Sequence, residues 1–184
     1  VEADETYYGK QTDPKPSAHR RGAPYLKKNV AANKRAVISL VESGGRVHSF
    51  RVAVADKFTV NKIVRATIDR ESRLHTDESR LYGDAPSIFS THGTVKHSVK
   101  ENVRGDVHTN SAEGFFSIFK RGMKGIYQHC SEKHLHRCLA EYDFRYNHRV
   151  KLGFDDPKRT AEAIRGASGK RLTYMQSGLS QLPA

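Results

Sequence analysis

The chain has 184 residues, enough for one domain with a real core, and sets 32 Lys and Arg against 20 Asp and Glu for a formal net charge of +12. A field of that sign draws polyanions, nucleic acid first among them, although a merely soluble basic protein would show the same balance. The composition excludes a membrane span, since no run of about 18 apolar residues occurs, and two cysteines exclude a disulfide framework. Cys130 and Cys138, eight residues apart on an expected helix, read as too far apart to bond to each other, which points to a reducing, cytoplasmic setting.

In chain order, Val1–Tyr8 has strand-forming residues with Asp4 inside it, and the opening without Met reads as the interior of a longer protein. Residues 10–28 form a loop rich in Pro, Gly and basic residues, either a solvated connection or a DNA contact through Arg20, Arg21, Lys27 and Lys28. Two β-rich runs, Arg35–Val41 and Arg46–Ala55, flank Glu42-Ser43-Gly44-Gly45, a hairpin signal because Gly tolerates the positive φ of a tight turn. Val60, Ile63, Val64, Thr67 and Ile68 then recur at helical steps. A short strand at Arg73–Thr76 ends at Asp77, residues 83–92 read as irregular or briefly helical, and Thr94–Ser98 reads as a last strand. Thr109 or Asn110 caps a helix bearing Phe115, Phe116, Ile118 and Phe119, and a second helix spans about Glu132 to Arg149 with Leu135, Leu139, Tyr142 and Tyr146 on one stripe. At that spacing Phe115, Phe116, Phe119, Tyr142, Phe144 and Tyr146 read as core rather than as base-stacking platforms. A weaker helical piece near Pro157–Arg165 precedes Gly- and Ser-bearing sequence. Strands followed by helices in this order predict the α/β class, a mixed sheet with flanking helices, with residues 1–150 as one domain and 151–184 as a helical or irregular tail.

Three acids stand out, each with a plainer reading. Asp4 shares a strand face with Glu2, where strand interiors disfavour Asp, yet an edge strand would explain it. Asp77 sits where a strand ends, the usual place for chemistry in such sheets, yet it also suits a helix cap. Glu113 completes Asn110-Ser111-Ala112-Glu113, a capping-box spacing that needs no catalysis. Between Asp77 and Glu113 lie 35 residues.

That spacing, with the words VEADETYYG, RLHTDESRLY, VKHS, GDVHTNSAEGFFSIFKRG and YQHCSEKHLHRCLAEYDFRYNHR, resembles the ISXO-type insertion-sequence DDE transposases of bacteria over about residues 1 to 150. The resemblance implies a ribonuclease H-like fold with Asp4, Asp77 and Glu113 as catalytic metal ligands. It implies cleavage at the element's terminal inverted repeats followed by strand transfer into target DNA. A ribonuclease H-like nuclease without strand transfer, and a DNA-binding protein without catalysis, stay open beside it. Phosphodiester chemistry of this kind suits two Mg²⁺ or Mn²⁺ ions held by carboxylates, with Asp4 as the bridge. Pairing two DNA ends implies a homodimer or larger assembly on the nucleoid. Lys120, two helical turns beyond Glu113, faces the same way and reads either as a phosphate contact or, with Arg121 and Lys124, as a solvated basic face. His75 and His108 stand near the acids as accessory candidates, and Asn110 is a weaker rival for the third acid. His97 and Ser98 carry no assigned role, and Cys130, His134 and Cys138 lack the spacing of a strong zinc site.

Overall fold

β-branched and aromatic residues recur along the first two long runs, Glu2–Tyr8 and Arg35–Val41, and both become strands. The computed structural model of the chain describes residues 1–9, 34–99, 101, 103–128 and 130–170. Arg20, Arg21, Lys27 and Lys28, with the end of the tail, lie outside these. Strands β1 (Glu2–Tyr8), β2 (Arg35–Val41), β3 (Val47–Val52), β4 (Arg73–Thr76) and β5 (Thr91–Thr94) form one sheet in the order β3-β2-β1-β4-β5. β1, β2 and β3 pair antiparallel, β2 and β3 through the Gly44 turn, whose φ of +70° only Gly adopts cheaply. Helix α1 (Lys57–Thr67), capped by the Asp56 carboxylate on the Thr59 amide, carries the chain across so that β4 runs parallel to β1 and β5 parallel to β4. The result is a mixed sheet with flanking helices, a ribonuclease H-like α/β fold with β1 at its centre.

Helices cover both faces. On one, Ala3, Ile38, Leu40, Val52 and Leu74 bury against Val60 and Val64 of α1 and against Phe89, just after the short helix α2 (Ala85–Ile88). On the other, Val37, Val41 and Val47 pack on Ala112, Phe115, Phe116 and Phe119 of α3 (Asn110–Gly122) and on Leu135 and Leu139 of α4 (Leu135–Asn147). Of the aromatic residues expected in the core, Phe115, Phe116, Phe119 and Tyr142 are buried there and Tyr146 packs against them, Phe119 meeting Tyr142 edge-on at 5.3 Å and Phe115 meeting Tyr146 likewise at 5.3 Å. Phe144, by contrast, is only half-buried and belongs to neither core cluster. Ile118, on the opposite side of α3, is exposed.

α4 also seals an edge of the sheet. Asn147 accepts from the Val47 amide and donates to its carbonyl, while Asp143 accepts from the Ser49 amide and hydroxyl. These side chains satisfy the outward backbone groups of β3 that an edge strand leaves open.

Two local expectations need correction. The last strand is Thr91–Thr94, not Thr94–Ser98, and His97–Val99 is a 3-10 turn. Gly93 hides the strand, because an interior Gly reads as a break; here it admits Val107 of the hairpin β6 (Val103–Arg104) and β7 (Val107–His108), whose side chain lies 2.6 Å from where a Cβ would stand. Gly93→Ala is therefore expected to cost about 1–3 kcal/mol, read by denaturant unfolding. An unchanged midpoint would show that Val107 shifts freely. The second long helix starts at Leu135, preceded by a 3-10 turn at Glu132–His134. From His148 onward a second unit holds α5 (Asp156–Ala167), capped by the Asp155 carboxylate on the Lys158 amide at 2.9 Å.

Candidate active site

The register of the central strands brings the first two acids level. Glu2 pairs with His75 across parallel β1 and β4, so two residues further on Asp4 stands beside Asp77, just past the end of β4. Alternation turns Glu2, Asp4, Thr6 and Tyr8 toward α3, and Ala3, Glu5 and Tyr7 toward the α1 side.

The third acid arrives through a residue that sequence reasoning leaves without a role. Glu2 is fully buried and its Oε2 accepts from the amides of Ser111 (2.8 Å) and Ala112 (3.1 Å), the first turn of α3. Those are the orphan donors of a helix N-terminus, and a carboxylate there also complements the helix dipole. Thr109, the residue at the cap position, makes no side-chain cap bond. The capping-box reading of Asn110 to Glu113 is thus not what forms, and Glu113, one turn into α3, keeps its carboxylate for other partners. Thr109 donates its hydroxyl to Glu113 Oε1 at 3.4 Å and His97 Nε2 lies 3.2 Å from the same oxygen. Asn110 is exposed at the start of α3.

His97 is a second residue that the sequence passes over. It is set in place because Glu78, next to Asp77, accepts from both the Ser98 amide (2.9 Å) and the Ser98 hydroxyl (2.7 Å). No local signal marks that contact, since 20 residues separate its ends.

Asp77 accepts from the Ser79 amide at 2.9 Å, but the cap of the 3-10 turn Arg80–Tyr82 is Ser79, whose hydroxyl accepts from the Leu81 amide, so the capping role expected of Asp77 falls to Ser79. The Ser79 hydroxyl in turn donates to Glu5 at 3.2 Å. Glu5 is thereby a fourth acid beside the pair, its pKa raised by burial and by Asp77. Asp4 responds most strongly. Burial first, then the charges of Glu5, Asp77 and Glu113, push its carboxyl up to about 7. Its remaining stabilisation is one bond from the Glu5 amide at 2.8 Å.

His75 and His108 sit beneath Glu2 rather than beside the three acids. Their rings meet edge-on at 6.3 Å and His108 Nδ1 lies 3.4 Å from Glu2 Oε1. Burial lowers the pKa of His75. α3 then runs along β1, Phe119 reaching Tyr8 at 5.7 Å, and its far end opens a cavity of about 500 Å³ lined by Tyr7, Tyr8, Lys34, Lys120 and Lys124. Arg121 is exposed on the same helix.

The donor set fits hard divalent cations. It is all oxygen, and the repulsion that raises the Asp4 pKa is what a cation relieves. Among the described residues, no three His, Cys, Asp or Glu side chains converge on one point as a ready-made metal cluster. Glu113 is instead turned toward Thr109 and His97. Also among the described residues, no helix is long and apolar enough to cross a membrane.

A family model described as ISXO2-like transposase domain matches residues 1–147. No curated protein matches the chain.

Proposed function

Because the chain belongs to the ISXO2-like transposase family of insertion-sequence DDE transposases, we propose that Asp4, Asp77 and Glu113 are its catalytic acids, cutting DNA at element ends and joining them to target DNA. One observation carries this reading: Asp4 is held at a pKa of about 7 amid Glu5, Asp77 and Glu113, a crowding of anions that folding alone does not reward. Asp4, central in the sheet, would hold divalent metal together with Asp77 and Glu113. Two Mg²⁺ or Mn²⁺ ions held there would supply charge stabilisation to both the attacking and the departing oxygen. The Ser79 amide keeps Asp77 oriented, and Glu2 fixes the turn from which Glu113 projects. Glu113 leaves the Thr109 hydroxyl and His97 to join the other two. Water first attacks the phosphodiester at the element end, breaking its bond to the 3′-oxygen and freeing a 3′-hydroxyl; that hydroxyl then attacks a target phosphodiester, displacing the target strand's 3′-oxygen, which takes up a proton. The reaction takes place on the nucleoid in the cytoplasm, on a dimer or larger assembly that pairs the two ends.

Calorimetry with Mn²⁺ tests the site. The wild type is expected to bind and Asp4→Ala to lose binding; equal heats from both would remove Asp4 from the site. Donor-end DNA with a plasmid target tests the reaction. Joined products support transposition, cleavage without joining supports a nuclease, and neither supports a DNA-binding role alone.

Lys120 of α3 and Lys124, in the π-helical turn Met123–Tyr127 that follows it, lie beyond the acids, where the DNA backbone would continue. Lys120→Ala with Lys124→Ala is expected to weaken binding of all sequences alike and to reduce the log–log salt slope by about 1 for each phosphate left without its lysine. A fluorescence-anisotropy titration across salt concentrations reads it, and an unchanged slope would place the phosphates elsewhere.

A further inference from the structure

By sequence alone Cys130 and Cys138 read as too far apart to bond to each other. The structure corrects this, placing the two sulfurs 3.1 Å apart. The reason lies in the connection. Cys130 is not on the helix; α3 ends in a π-helical turn, Met123–Tyr127, and Gln128 takes a φ of +50°. The chain then enters α4 by the Glu132–His134 turn, and Cys138 on α4 comes back under Cys130. Both thiols are free and partly exposed. The Arg35 guanidinium donates to the Cys130 carbonyl, tying the segment to the start of β2.

We propose that Cys130 and Cys138 are a modification site, a dithiol that exchanges with small disulfides of the glutathione class to form a reversible intramolecular bridge. It does not depend on the catalytic reading, since neither cysteine touches the acids. The Cys130 sulfur, as thiolate, attacks one sulfur of the small disulfide; that S–S bond breaks and one thiolate leaves to take up a proton. Cys138 then gives its proton to solvent and attacks the Cys130 sulfur, expelling the second small thiol. The two cysteines lose two electrons together, and the small disulfide is reduced to two thiols. Cys138 suits the second role. Burial and the neighbouring Cys130 push its thiol up to about 12, which makes it the poorer first nucleophile. The bridge would staple the segment after α3 to α4 and so stiffen the helix pair that packs under β1 and β2.

The full chain treated with oxidised glutathione decides the matter. In the wild type both free thiols should disappear, the intact mass should fall by two hydrogens with no glutathione attached, and a peptide map should link Cys130 to Cys138. Cys138→Ser should stop at a single glutathione adduct on Cys130. The wild-type melting temperature should rise by roughly 2–8 °C on oxidation and return with reductant, and that of Cys138→Ser should not. Glutathione on both wild-type cysteines, or cross-links between chains in place of the internal bridge, would overturn the proposal. The wild-type result alone is decisive, so a variant that fails to fold does not shield the idea.

Discussion

Asp4→Asn is expected to make the metal-free protein more stable at neutral pH while removing DNA strand cleavage. The carboxyl of Asp4 stands at about 7 in the folded chain against an ordinary value of 3.8. Between those values the folded state holds a proton that the unfolded state has released. Stability therefore falls as pH rises from about 4 to 7, at up to roughly 1.4 kcal/mol per pH unit, and the full penalty stands above pH 7. Solvent at a site only partly buried screens this, leaving about 1–3 kcal/mol as the gain from Asn. Denaturant unfolding at several pH values should show wild type and variant nearly equal near pH 4 and diverging toward pH 7. Mn²⁺ should raise the wild-type melting temperature and leave the variant's unchanged. Cleavage should drop by roughly 10³-fold or more, since charge stabilisation of several kcal/mol goes with the ligand. A variant that cuts DNA normally, or a stability difference independent of pH, would sink the assignment.

The second large effect is expected at Glu2. Glu2→Ala strips two buried helix-terminal amides of their acceptor and leaves a void in a fully closed site, a loss of about 3 kcal/mol or more. Glu2→Gln keeps an amide oxygen for the same donors and should recover much of that. Hydrogen exchange at the Ser111 and Ala112 amides distinguishes a local role from a general one, with protection disappearing first there in Glu2→Ala. Strand cleavage should fall with it, because the turn that presents Glu113 loses its anchor to β1. If Glu2→Ala unfolds with a normal midpoint and normal exchange at those two amides, the carboxylate does not hold the helix.

How much of this is legible in the residues follows from which contacts are local. β1, β2, β4 and the apolar stripes of α3 and α4 declare themselves because alternation and helical period are properties of neighbouring residues. β5 does not, because Gly93 answers to Val107 and not to its own strand. Glu2 stands out only as sharing a face with Asp4; its partners lie 109 and 110 residues away. His97 owes its place to Ser98 meeting Glu78, and the cysteine pair owes its closeness to the connection between α3 and α4, where Gln128 takes a positive φ. The three acids are marked by spacing and by resemblance to a family, yet their mutual electrostatic influence is a tertiary property that no spacing encodes.

The side chains of Asn147 and Asp143 have a consequence for assembly. By occupying the outward amides of Val47 and Ser49, they take up donors that an incoming strand from another copy would pair with. Any pairing of one copy's sheet with another's across the β3 margin would first have to displace Asn147 and Asp143.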